Sequence, residues 1–282
     1  MKVSQSLEAF LQNAQREPAG LSDNNDGREI PDEGESAASN EAKVFFDWDA
    51  ANVFNKVMPV ATFNEAARSQ TLAPNLHRDV AQAAFMRAAL LDNRAAANQS
   101  ATILATAYPE LKDYLAEYQR ATTPDGRRFA AAYLALKFPG LRPYVTVGLN
   151  RTSKLDEIDS FRDNWWCGEA PSTYVQDDGA KTEPVSAPLF LTNSQSIGTR
   201  EATALGALGT GPNDLAQTAI NWGTKNPADA RVPEALHLAV KSTRYGCTDK
   251  ETGRWSKAAF DFLHRRYPNT SWAKETKYWF KG

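Results

Sequence analysis

The chain holds three histidines, His77, His237 and His264, and two cysteines, Cys167 and Cys247. Metal ligation needs several imidazoles, thiolates or carboxylates converging, and neither H-E-x-x-H nor C-x-x-C spacing occurs. His237, Cys247 and His264 fall on successive helical segments and are the one candidate zinc set; surface or hydrogen-bonded histidines are the plainer reading. Either cysteine with His237 would make a thiol–imidazole pair. A serine elbow of the G-x-S-x-G type is absent. Gly206-Ala207-Leu208-Gly209-Thr210-Gly211 has the glycine content of a phosphate loop, but no strand precedes it and no Lys-Ser/Thr follows, so a helix C-cap and turn explain it better. Glu157 and Asp159, near Trp165 and Trp166, are the carboxylates best placed for the acid–base chemistry of a glycan-cleaving hydrolase or lyase. Helix caps beside a core tryptophan cluster account for the same residues. No pattern assigns a catalytic, cofactor-binding or metal-ligating set, and no cofactor is expected.

Cys167 and Cys247 stand about eighty residues apart. They either form a disulfide or remain two buried thiols, and the sequence admits both. The formal net charge of -2 gives no electrostatic reason to expect nucleic acid. Arg265, Arg266, Lys274, Lys277 and Lys281 read as a solvated basic face rather than a nucleic-acid reader. No apolar run reaches the roughly 20 residues that span a bilayer, and Met1–Leu11 lacks the apolar core of a secretory signal. The expectation is a cytoplasmic protein or a piece of a longer chain.

The elements that must position these groups are helices. Tyr108-Pro109-Glu110-Leu111-Lys112-Asp113-Tyr114-Leu115 returns thirty residues later as Phe138-Pro139-Gly140-Leu141-Arg142-Pro143-Tyr144-Val145, with a looser echo at Tyr267-Pro268. Proline bars the helical region to the residue before it, so each aromatic must end a helix and its ring fills the corner between hairpins. Apolar spacing predicts helices near residues 4–15, 47–57, 62–67, 74–91, 94–107, 110–121 and 124–137, then from Thr199, Pro212, Pro233, Ser256 and Ser271, the last running on through Thr276, Trp279 and Phe280. No strand pair is evident. The organisation expected is an N-terminal helix over 1–16, an acidic flexible linker over 17–42, a helical-repeat lobe over 43–150, an irregular connector over 151–190 and a C-terminal helical lobe over 191–282. Together these make an all-α fold of stacked antiparallel hairpins without significant sheet.

The C-terminal stretch from Ser256 through Phe260, Leu263, Tyr267-Pro268, Ser271, Ala273 and Thr276 to Phe280 resembles the tetratricopeptide-like (TPR-like) repeats of bacterial envelope proteins. The resemblance covers about 25 residues there and extends in looser form to 95–145. It implies an α-solenoid, a non-catalytic scaffold or adaptor binding a protein or peptide partner, and a place in the bacterial periplasm or cell envelope as part of a longer chain. Trp165, Trp166, Tyr174, Trp272 and Trp279 are the candidate partner-binding aromatics.

Overall fold

The computed structural model describes residues 6–17, 44–148, 154–159, 164–168 and 185–281. The acidic stretch from 18 to 42 and Tyr174 lie outside them. Among the described residues the chain is all-α, with twelve α-helices and one antiparallel ladder, β1 (Gln15–Arg16) against β2 (Phe45–Phe46). Strands of two residues carry no alternation, which is why the sequence gives no sign of them. No described helix is long and apolar enough to cross a membrane.

Helix α1 (Leu7–Ala14) starts at Ser6, whose hydroxyl accepts from the Ala9 amide, and buries Phe10, Leu11 and Ala14. Helix α2 (Trp48–Asn52) is capped by the Asp47 carboxylate accepting from Ala50 N at 2.9 Å. It widens into a π-helical turn over Val53–Val57 before Pro59 opens α3 (Val60–Ala66). The rings of Phe10, Phe46 and Phe63 each lie 5.1–5.7 Å from Phe54, so the amino-terminal helix is seated in the core. Next come α4 (Pro74–Leu90), α5 (Arg94–Ala107), α6 (Lys112–Arg120) and α7 (Pro124–Lys137), with α4 packed on α5 and α7, and α6 on α7. The small residues Ala81, Ala84, Ala88, Ala97 and Ala101 let α4 and α5 approach closely.

The π turn is held from inside. Arg87 of α4 is 0% exposed and donates to the carbonyl oxygens of Phe54 (3.0 Å) and Asn55 (2.7 Å), while its guanidinium lies 4.9 Å above the Phe63 ring. Burial pushes the Arg87 guanidinium down to about 10, opposed by the field of Glu201. Glu201 belongs to α8 (Gln195–Gly206), which reaches back across the chain, and its carboxylate accepts from Val60 N at 2.8 Å. Gly198 of α8 lies against the turn so closely that a Cβ there would sit 2.0 Å from Val57 O.

Helices α9 (Gly211–Lys225), α10 (Val232–Tyr245) and α11 (Thr252–Arg266) pack on one another, and α9 and α10 also pack on α7. The two helical halves therefore share an interface across the connector. Four helices end at a residue before proline: Tyr108, Phe138, Asn226 and Tyr267 all leave the helical region with φ between -127° and -136°. Asn226-Pro227 is a corner that an aromatic-proline search passes over. Helix α12 (Ser271–Glu275) stops short of expectation: the helix read through Thr276, Trp279 and Phe280 ends at Glu275, and Thr276–Lys281 are non-helical. The two histidines that clasp Thr276, described below, override its local preference.

Candidate functional site: a cleft between four helices

The described surface is indented where α6, α7, α9 and α10 meet. A cavity of about 330 Å³ is lined by residues that include Glu117, Arg120, Thr122, Thr123, Trp222 and Arg231. Among the described residues its one aromatic lining residue is Trp222 of α9, which stacks on the fully buried Phe129 of α7 with centroids 5.1 Å apart and planes 10° from parallel. Gly126 lies beside that stack, where a Cβ would already touch the Trp222 ring at 3.5 Å.

One of the two described arginines that line the cleft, Arg231, is fixed by partners on three sides. Arg231 donates to both carboxylate oxygens of Asp229 (3.0 and 2.7 Å), to Glu117 (2.7 Å), and lies 5.0 Å above the Phe129 ring. Trp222 Nε1 donates to Asp229 at 2.9 Å, so one carboxylate orients both the ring and the guanidinium. Burial raises the Asp229 carboxyl, but the hydrogen bonds from Arg231 and Trp222 outweigh it and hold the group at about 2. Arg231 is held above its ordinary range, first by its hydrogen bond to Asp229. A side chain so braced presents a planar donor edge at little entropic cost. The arrangement can take a segment that sets an apolar or planar group on Trp222 and an acceptor against Arg231 or Arg120.

The residues singled out from sequence lie elsewhere. Trp165 and Trp166 are buried: Trp165 Nε1 donates to Ala135 O of α7 at 2.9 Å, and Gly211, at the start of α9, donates its N–H to Trp166 O at 2.8 Å. They are wedges between helices, and neither ring is offered to a partner. Cys167 and Cys247 are joined in a disulfide with Cα atoms 5.0 Å apart. The bridge pins the 164–168 strip beside Gly246, where Cys247 N also donates to Trp165 O at 3.1 Å. The bond removes Cys247 from any zinc set and both sulfurs from any thiol–imidazole pair. Glu157 is exposed on a turn and Asp159 is half-buried; neither lines the cleft. Gly206–Gly211 ends α8 and starts α9 with Gly209 at φ 75°, a helix-to-helix turn.

Trp272 and Trp279 are half-buried at the far end, on α10 and α11. The Trp272 ring is 5.2 Å from His237 and the Trp279 ring 5.0 Å from Phe260. Among the described residues no group of three His, Cys, Asp or Glu side chains is placed to hold a metal ion. The cleft itself escaped sequence reasoning because its parts lie about a hundred residues apart, and Trp222 read as one more apolar helix position. The available signal was the Asp229-x-Arg231 pair between Pro227 and Pro233, a charged couple confined to a turn. No protein-family model matches the chain, and no curated protein and no solved structure matches it.

Proposed function

We propose that this chain is a non-catalytic, TPR-like helical scaffold that holds a segment of a protein partner in the cleft between α6, α7, α9 and α10. The observation that carries the reading is the Trp222–Phe129 stack with Arg231 locked beside it by Asp229 and Glu117. Tryptophan and arginine, held rigid at the edge of a concavity, are the side chains that concentrate binding energy in protein interfaces. The exposed rim, Arg120, Thr122 and Thr123, supplies cationic and hydroxyl groups for orientation. The Cys167–Cys247 bridge supports an oxidising compartment such as the bacterial periplasm or cell envelope, where disulfides persist.

The test is a random peptide display library panned against the purified protein and, in parallel, against Trp222→Ala. Sequences enriched on the first and lost on the second, with binding unchanged on a Trp48→Ala control, are the expected result. Equal enrichment on all three proteins, or none, contradicts the proposal.

A further inference from the structure

The residues after α12 lie along the seam between α10 and α11, and the helices hold them by main chain as well as by side chains. His264 Nε2 donates to the carbonyl oxygen of Thr276 at 2.9 Å, and the Phe280 amide donates to Ser256 Oγ at 2.9 Å. Thr276 Oγ1 gives its proton to Trp272 O at 2.7 Å, so it accepts from His237 Nδ1 at 2.7 Å. At the far end the main chain runs over Gly253, where a Cβ would lie 3.2 Å from Lys281 O. Between His264 and Gly253 the seam covers eleven helical positions, roughly 16 Å, which Thr276–Lys281 cross in five steps; only a nearly extended chain reaches that far.

The aromatic side chains of the segment make further contacts. Trp279 rests on Phe260, with the ammonium groups of Lys257 and Lys281 5.6 and 5.5 Å from its ring. Tyr278 is 68% exposed, with the Arg244 guanidinium 5.9 Å from its ring. An extended segment fixed by two backbone contacts, one buried threonine and one ring sits at the low end of local stability. It is also what a surface that captures main chain would hold.

We propose that the α10–α11 seam is an acceptor for an extended peptide, that residues 276–281 occupy it in cis, and that the same segment of a second copy of this chain exchanges with them. The ligand chemistry is a Thr-x-x-aromatic-aromatic-basic segment, with threonine between the two histidines, the first aromatic on Phe260 and the next residue's amide on Ser256. This acceptor is separate from the cleft and does not rest on it.

The probe is a fluorescein-labelled peptide of residues 274–281, Lys-Glu-Thr-Lys-Tyr-Trp-Phe-Lys, titrated with the 282-residue chain and read by anisotropy. A resident segment in place about nine-tenths of the time weakens binding about tenfold. Trp279→Ala, which vacates the seam, therefore binds the probe about tenfold more tightly than the unsubstituted chain. Adding Ser256→Val reverses the gain. Circular dichroism reports folding, and if Trp279→Ala does not fold, Phe280→Pro, which deletes the amide that Ser256 accepts, takes its place. Equal binding to the vacated and unsubstituted chains, or no binding to either, overturns the proposal. So does failure of both variants to fold, because the segment would then be a fixed part of the core.

Discussion

Arg87 Nη2 donates to the main-chain oxygen of Asn55 at 2.7 Å, and the side chain of that same asparagine pairs with Val145 through both its amide and its carbonyl. One buried guanidinium thus satisfies the carbonyls that the π turn leaves open and fixes the residue that anchors a loop ninety positions away. Arg87→Met relieves the cost of burying a charge but orphans two carbonyl oxygens, each worth roughly 1–3 kcal/mol. The expected net loss is about 2–4 kcal/mol. Arg87→Lys, with no planar fork to span both oxygens, recovers only part of it. Urea unfolding midpoints of the three proteins check the order.

Gly198 is required by close approach. Its Cβ position would lie 2.0 Å from Val57 O and 2.8 Å from Met58 C, so Gly198→Ala must push α8 off the π turn and weaken the bond between Glu201 and Val60 N. A loss of about 2–3 kcal/mol is expected, from overpacking against backbone that cannot yield. Thr203→Ala, on the exposed side of the same helix, changes stability by less than about 0.5 kcal/mol. Thermal unfolding of both variants separates the two effects.

The disulfide closes a loop of 80 residues. In the chain-entropy model such a closure contributes about 4 kcal/mol by restricting the unfolded chain. Cys167→Ser/Cys247→Ser is expected to lose a large part of this, and reductant is expected to lower the urea midpoint of the parent while leaving the double variant unchanged. Because Cys167 is exposed, reduction should not need prior unfolding.

Stability should depend on pH in two separate windows. Burial lowers His237, with Lys241 acting the same way and Glu275 and Glu234 opposing. The folded chain therefore resists the proton that the unfolded chain takes up below about 6.5. Stability falls as the pH drops through that range, and His237→Gln flattens this part of the curve. Asp229 is lowered as well, to about 2, but here it is the charged form that the fold favours. Its contribution is fully present above the unfolded value near 3.8 and is lost as the pH falls toward 2. Discounted for solvent screening, it is about 1 kcal/mol. Unfolding free energy measured from pH 8 to pH 3 should show the first decline near neutrality and the second only in acid.

The helices were legible in the sequence because their ends are written in local chemistry. Pro74 and Pro124 at first-turn positions and the aromatic-proline pairs at 108–109, 138–139 and 267–268 mark boundaries that no packing has to reveal. What was not legible depends on distant partners. The π turn at Val53–Val57 exists where Arg87 and Gly198 receive it, and α12 stops where His237 and His264 take Thr276. Tyr267 donates to Pro227 O at 3.0 Å, tying two corners forty residues apart, yet Asn226-Pro227 lacks the aromatic that flags the others. The cleft was hidden for the same reason: Trp222, Arg231 and Glu117 look ordinary singly and acquire meaning only when α7 and α9 meet.

The most direct measurement is hydrogen–deuterium exchange of the protein with and without a peptide selected on it. Bound peptide should slow exchange in segments 117–130 and 220–231, which carry the cleft's lining residues, and the protection should vanish in Trp222→Ala. Protection confined to other segments, or unchanged by that substitution, would contradict the assignment of the cleft as the partner-binding site.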